Sequence, residues 1–292
     1  AAGLNRADLL QVAGHYPPPT GYSPNIPGME FAGEIVEIGS DVRAFANGDR
    51  VFGIVAGEGQ AEFLLTDESV LAKIPDSLNF AEAAAVPEVF LTAHDAIFTQ
   101  AKLEAGESVL IHAVGSGAGL AGLQLAKAKG CFAFGTSRTQ DKLDKCTVFG
   151  LDVAILSGNG AKFSETVKSG TNEKGVSVIL DLVGGSYLAE NIASIATKGR
   201  LMLVGLTGGR AAELDLGAVL QKRMTITGTV LRGRSLEEKA RATKAFIREV
   251  MPLLASKQIK PNLDKVFPVE RMVEAYQFLA SNESFGKVVL EF

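Results

Sequence analysis

From Ser108 onward, short apolar runs alternate with stretches of helical periodicity, and this alternation constrains the fold of the 292-residue chain more than any other feature. The runs are Ser108–Val114, Cys131–Thr136, Val153–Leu156, Val176–Val183, Arg200–Gly205 and Met224–Leu231. They are apolar throughout, the pattern of strands covered on both faces. Between them apolar residues recur near every 3.6 positions, which makes the connections helical. Six strands joined by helical crossovers predict an α/β fold with a doubly wound six-stranded parallel sheet. Ser108–Ala126 runs 19 residues without a charge, close to the ~20 of a membrane span. His112 and four glycines interrupt it and no basic leader precedes it, so neither a span nor a signal peptide is expected.

The flanking regions follow a different grammar. Residues 28–75 read as an all-β module with strands Phe31–Ile38, Arg50–Val55, Gln60–Thr66 and Val70–Ile74, punctuated by Gly39, Gly48 and Gly59. Ala1–Asn5 reads as the end of a strand. Ser77 is expected to cap an alanine-rich helix, and Pro87 to begin another that runs to about Lys102. After Arg232 come a charged helix to about Lys257, a strand near Val266, a helix from Val269 and a last strand Lys287–Phe292. This tail is expected to pack back on the β module. A dinucleotide-binding domain over 89–230 is then inserted into a second domain made of 1–88 and 231–292.

Composition removes several classes of function. With 29 Lys+Arg against 33 Asp+Glu the net charge is −4, so neither nucleic acid nor an anionic membrane is indicated as partner. The only two cysteines, Cys131 and Cys146, exclude a disulfide framework or a multi-cysteine metal site and suit a reducing cytoplasm. They read as core residues.

The strongest constellation is Ile111-His112-Ala113-Val114-Gly115-Ser116-Gly117-Ala118-Gly119-Leu120, where the first parallel strand turns into the first helix. A dinucleotide pyrophosphate needs a tight turn, close backbone approach and a bare helix N-terminus there. The spacing departs from G-x-G-x-x-G, since Val114 and Ser116 occupy the first two glycine positions when Gly119 is the last. Ser116, Gly117, Ala118 and Gly119 are the candidate pyrophosphate contacts. A structural glycine turn is the alternative.

The end of the second strand selects the cofactor. An NAD enzyme carries Asp or Glu about 20 residues beyond the glycines to bond the ribose 2′-hydroxyl. Here the strand ends Thr136-Ser137-Arg138-Thr139, with Lys142 one turn on and no acid at the tip. Arg138 offers a fork for phosphate and Lys142 a point charge, so NADPH is expected, with a solvated basic pair as the alternative. Gly184, Gly205, Leu206 and Thr207, in the turns ending the fourth and fifth strands, are expected to line the nicotinamide half. Ordinary left-handed turns would account for each singly. His15, His94 and His112 have no partner constellation of a catalytic kind and read as structural.

Several segments together resemble a known family. Pro27-Gly28-Met29-Glu30-Phe31-Ala32-Gly33, Asn47-Gly48-Asp49-Arg50-Val51, Ala84-Ala85-Val86-Pro87 and Gly286-Lys287-Val288-Val289-Leu290 are similar to landmarks of the medium-chain dehydrogenase/reductase superfamily. Ala2–Asp8 with Gly14-His15-Tyr16-Pro17-Pro18 resembles its zinc-independent NADPH:quinone oxidoreductases related to zeta-crystallin. Within these, the turn Ala113–Gly119 resembles the branch of the tumour-suppressor-induced quinone oxidoreductase. The resemblance implies a Rossmann domain inserted into a GroES-like barrel, in a family that has several dozen residues before Asn5. It implies direct hydride transfer to a quinone. Enone, alkenal or enoyl double-bond reduction and non-catalytic NADPH binding are the alternatives.

The same resemblance implies a quinone site at Asn5 and Tyr16, with Thr92 beside the nicotinamide ribose. Asn5 could instead cap the helix that follows, and Tyr16 could be a packed aromatic. No zinc is expected, because the segment Leu4-Asn5-Arg6-Ala7-Asp8, where the zinc-dependent relatives carry a Cys, has none, and Met29 stands where they carry a His, a thioether being no zinc ligand. Two positions depart from the relatives. A Tyr that meets the 2′-phosphate is replaced by Leu156-Ser157-Gly158, leaving more to Arg138, and a second active-site Tyr is replaced by Leu10. Strand Met224–Leu231 reads as a sheet edge suited to pairing across a two-fold axis, so a homodimer is expected.

Overall fold

The computed structural model describes residues 1–158, 160 and 162–292. Two compact units emerge, Thr92–Val230 and the split pair Ala1–Leu91 with Leu231–Phe292. Among the described residues twelve strands are formed: β1 Ala2–Leu4, β2 Glu30–Glu34, β3 Arg50–Ile54, β4 Leu71–Lys73, β5 Ser108–Ile111, β6 Phe132–Ser137, β7 Val153–Leu156, β8 Val176–Asp181, β9 Ile195–Leu203, β10 Thr225–Gly228, β11 Leu263–Pro268 and β12 Lys287–Glu291. Among the described residues no helix is long and apolar enough to cross a membrane.

The unit Thr92–Val230 contains the six parallel strands in spatial order β10-β9-β8-β5-β6-β7. This is the doubly wound Rossmann order, and it reverses direction between β5 and β8, where ligands of such sheets bind outside the strand carboxyl ends. Its core joins Leu110, Phe134, Ile179 and Leu201 of the central strands to Phe163, Tyr187 and Ile192 from the connections. β5 stops at Ile111, short of the expected Val114, because Ala113 takes a positive φ of 47° that no strand can include. β9 starts five residues earlier than expected, and its pairing with β8 carries a register shift between Val176 and Val178.

In the split unit, β12 pairs antiparallel with β1 and parallel with β11, so the chain's last strand lies on its first. Ala1 and Ala32 exchange backbone hydrogen bonds of 3.0 and 2.9 Å, linking β1 to the antiparallel sheet β2-β3-β4. Helix Leu236–Glu249 lays Phe246 edge-on against Phe52 of β3, with ring centroids 6.2 Å apart.

Further expected elements differ, among them β2, which ends at Glu34 rather than Ile38. Gln60–Thr66 is not a strand, and Phe63 and Leu65 are 76% and 96% exposed; no neighbouring strand takes up its backbone. The alanine-rich helix spans Phe80–Ala84 and is capped by Asn79, not Ser77. Asn79-x-x-Glu82 closes a reciprocal capping box, whereas Ser77 has no acid or amide three residues on. The helix from Pro87 ends at His94 and passes into a π turn, Asp95–Gln100, whose ends are tied by Gln100 Nε2 donating to Asp95 Oδ2 at 2.6 Å. The helix after Ser235 breaks at Val250, where Pro252 starts the next one, Met251–Ala255.

Candidate active site

The turn after β5 combines a strained residue, a cap and a close approach. Ala113, not a glycine, takes the left-handed conformation. Ser116 is the N-cap of helix Gly117–Ala128, its Oγ accepting from Gly119 N at 3.1 Å. A side chain on Gly119 would meet Val114 Cα and O at 2.7 Å, so only glycine lets the helix start this close to the turn. The N–H groups of Gly117 and Ala118 take no acceptor among the described residues. Uncapped donors at the positive end of a 12-residue helix form an anion-binding terminus. A dinucleotide pyrophosphate therefore fits the residues present.

At the end of β6 the Ser137 hydroxyl is buried and accepts from Thr139 N at 3.3 Å. Arg138 is exposed and forms no ion pair or hydrogen bond among the described residues. Lys142, half-buried, lies in the first turn of helix Gln140–Cys146. The turns after β8 and β9 are knotted together. Gly208 N donates to Val183 O at 2.7 Å, and Gly185 N to Gly209 O at 3.0 Å. Gly184, at φ 82°, and Gly205 are glycines because a Cβ would strike Gly205 O and Leu182 O respectively. These turns present Leu206, half exposed, and Thr207, whose hydroxyl donates to Leu182 O at 3.3 Å. Thr92, half-buried on helix Pro87–His94, has no hydrogen-bond partner among the described residues.

Sequence reasoning missed the buried chain beneath these turns. Asp181, at the end of β8, accepts from Val183 N, Gly184 N and Asn191 Nδ2 at 2.8, 2.9 and 2.9 Å. Asn191 Oδ1 therefore faces His112 Nε2 at 2.6 Å, so that nitrogen donates, and Nδ1 accepts from the Thr136 hydroxyl at 2.9 Å. Burial holds His112 below the usual imidazole range despite Asp181, and Phe163 and Tyr187 pack on its ring at 4.8 Å. His112, read from sequence as partnerless, thus has a full set of partners, in a structural role. The available signal was Asp before Val-Gly-Gly at a strand end, which invites a side chain to bond the turn's own N–H groups.

The second cluster lies within the split unit. Lys287 on β12 is 3% exposed, and its ammonium donates to Glu30 Oε1, Leu4 O and Asn5 Oδ1 at 2.5, 2.7 and 2.8 Å. Asn5 Nδ2 donates to Glu30 Oε1 at 2.7 Å, and Glu88 N to Glu30 Oε2 at 2.8 Å. Both ends of the Asn5 amide are thus taken by protein groups. Its residue also occupies the N-cap of helix Arg6–Val12, where Asp8 Oδ2 accepts from Asn5 N at 2.7 Å. Asp8, fully buried, takes Gly28 N on its other oxygen, and burial pushes its carboxyl up to about 6. Arg232 lies 5.1 Å from the centre of the Tyr16 ring and donates to Ala56 O, Tyr16 O and Gln11 Oε1. The Tyr16 hydroxyl is without a partner among the described residues, and burial, then Glu88, raises its phenol above the ordinary range.

A family model for the alcohol dehydrogenase GroES-like domain matches residues 1–96, and one described as zinc-binding dehydrogenase matches 117–248. The quinone oxidoreductase-like protein 2 of Bos taurus is 32% identical over 99% of this chain and 82% of its own length. A mycobacterial protein solved in complex with NADPH superposes with a TM-score of 0.89 at 27% identity, covering 99% of this chain and 89% of that one. The JamJ enoyl reductase, apo form, superposes at 0.86 and 26% identity, with coverage of 99% and 89%. The chain belongs to the medium-chain dehydrogenase/reductase superfamily and is an oxidoreductase of that fold. Its curated relatives include quinone oxidoreductases, and its structural neighbours are NAD(P)-dependent dehydrogenases and enoyl reductases.

The zinc in one family description does not suit the donors present. Among the described residues no three His, Cys, Asp or Glu side chains are grouped to hold a metal ion. Met29 offers only a thioether, and both cysteines are buried, burial pushing the Cys146 thiol up to about 12.

Proposed function

We propose that the chain is an NADPH-dependent quinone oxidoreductase working by direct hydride transfer without zinc. The observation that carries the reading is Arg138: a guanidinium without a partner among the described residues at the tip of β6, where an NAD enzyme would place an acid. Arg138, with Ser137 and Lys142, would hold the 2′-phosphate, and Ser116, Gly117, Ala118 and Gly119 the pyrophosphate. Gly184, Gly205, Leu206, Thr207 and Thr92 would line the nicotinamide end. Bound NADPH supplies the hydride. Tyr16, its hydroxyl protonated and without a partner among the described residues, would donate to the acceptor oxygen where negative charge grows. Asn5 would act at one remove, holding Lys287 and Glu30 in place.

Steady-state NADPH oxidation tests the reading against its alternatives. Quinones turned over faster than enones support it. Faster enone or enoyl reduction, which the JamJ neighbour favours, replaces the substrate. Turnover of neither leaves an NADPH-binding protein. Because β10 is the edge of the six-stranded sheet, a homodimer paired through it is also proposed, and a monomeric mass by light scattering would refute that.

A further inference from the structure

The tip of β6 is held by more than its strand pairing. Ser137 O accepts from Ser157 N at 2.9 Å, which continues the ladder between β6 and β7, and also from the Ser157 hydroxyl at 3.2 Å. The Ser157 oxygen stands 2.8 Å from the Tyr187 hydroxyl. A carbonyl only accepts, so the Ser157 O–H is spent on Ser137 and Tyr187 is the donor to Ser157. All three residues are buried. The Tyr187 ring is itself fixed, by His112 edge-on at 4.8 Å and by Phe163 at 5.2 Å. Tyr187 ends the short turn Gly185–Tyr187 that follows β8, so this relay of two hydroxyls ties that turn to the tip of β6.

The carbonyl so held belongs to the peptide that Ser137 shares with Arg138. A trans peptide points its N–H away from its C=O, and no cis bond occurs among the described residues. With Ser137 O turned toward β7, Arg138 N–H faces the opposite side, where Thr136 O accepts from Val114 N of the glycine turn at 3.0 Å. Neither the N–H nor the guanidinium of Arg138 takes an acceptor among the described residues. Tyr187 and Ser157 therefore fix the peptide plane from which Arg138 leaves the strand.

We propose that Tyr187, acting through Ser157, is a positioning residue that aims Arg138 and so sharpens the preference for a nucleotide with a 2′-phosphate over one with a free 2′-hydroxyl. The inference rests on the reading of Arg138 as the 2′-phosphate contact, and adds the part of the fold that gives that contact its direction. A guanidinium recognises phosphate best as a two-pronged fork, and the fork is specific only when its base is fixed. Arg138 is exposed, so its own side chain finds no rigid support and the peptide behind it has to supply the direction. Ordering a loose base on binding would cost affinity. A ribose without the 2′-phosphate gives the fork nothing to grip, so loosening the peptide takes little from it.

The test measures equilibrium binding of NADPH and NADH to the full chain with Tyr187→Phe, which keeps the ring and removes only the hydroxyl, and with Ser157→Ala as a second route to the same break. Each is expected to weaken NADPH about 3–10-fold, the worth of one neutral hydrogen bond, and to leave NADH within about twofold. Arg138→Ala and the double substitution Arg138→Ala/Tyr187→Phe close a cycle. Once Arg138 is gone, removing the Tyr187 hydroxyl should change NADPH binding by less than about twofold, because a positioning residue has nothing left to position. A hydroxyl that served stability alone would lower the melting temperature, weaken both nucleotides alike and act additively with Arg138→Ala. Either of the last two results, or unchanged discrimination in both single variants while Arg138→Ala abolishes it, overturns the positioning role and leaves the 2′-phosphate reading standing. Equal loss of NADPH and NADH in Arg138→Ala overturns that reading, and the inference built on it falls too.

Discussion

Two buried polar networks in this molecule have opposite balances. Thr136–His112–Asn191–Asp181 in the six-stranded unit is closed: each side chain finds its partner, and the chain ends on backbone N–H groups of a turn. In the network of Asp8, Glu30, Glu88, Lys287 and Arg232 in the split unit, the Glu88 carboxyl takes no hydrogen bond among the described residues, whereas the other four side chains do. A closed network rigidifies its surroundings and offers nothing to a reactant, while an open one keeps a group able to exchange a proton. The first therefore serves as scaffold under the turns after β8 and β9, and the second leaves the Glu88 carboxyl open to exchange its proton.

The comparison can be broken or sharpened by substitution. The largest effect is expected from Lys287→Met, which leaves Glu30, with 0% side-chain exposure, buried and without its cation. Losing one partner of a buried pair costs about 3–5 kcal/mol; an unchanged urea midpoint would mean that Glu30 had taken up a proton instead. Asp181→Ala should lose about 2–3 kcal/mol, as two turn N–H groups and Asn191 lose their acceptor. It should leave the decline of stability between pH 6 and 8 in place; a shifted decline would show that the two networks are coupled.

Arg138→Ala should weaken NADPH binding about 10–100-fold through loss of a charge-assisted contact. NADH binding and the melting temperature should hardly move. Equal loss for both nucleotides would remove the 2′-phosphate assignment.

The subtlest expected effect is in the pH dependence of stability. Glu88 rises from an ordinary 4.5 to about 8, and Asp8 from 3.8 to about 6, so between these values the folded chain binds more protons than the unfolded one. Stability should then be greatest near or below the ordinary values and decline as pH rises through 6 and 8. Glu88→Gln should flatten the upper part of that decline, and a denaturation series across pH measures it.

Much of the fold was readable because its signals are local. Apolar runs and 3.6 periodicity gave the six parallel strands, with ends moved where a neighbour or a dihedral intervened. Val114 fell outside β5 because Ala113 adopts a positive φ, which composition cannot foretell. Ser77 was chosen as a cap on residue type alone, while Asn79 wins through its reciprocal bond with Glu82. Gln60–Thr66 has strand composition, yet a strand exists only where another backbone answers it. Tyr16 was marked by resemblance, and the structure adds that its hydroxyl is without a partner among the described residues. Asn5 was marked the same way, and the structure shows its amide occupied.

The sequence by itself determined the nucleotide-binding architecture, the glycine turn and the absence of an acid after β6, because each is written in neighbouring residues. Only the tertiary structure decided where the spare proton sits. Glu88 reads as an ordinary first-turn acid of a helix, favourable beside the positive helix end. Its altered chemistry comes from burial and from residues 8, 30, 232 and 287, brought together by the fold. Burial and like-charge repulsion depend on distance in space, and no pattern of neighbouring residues records them.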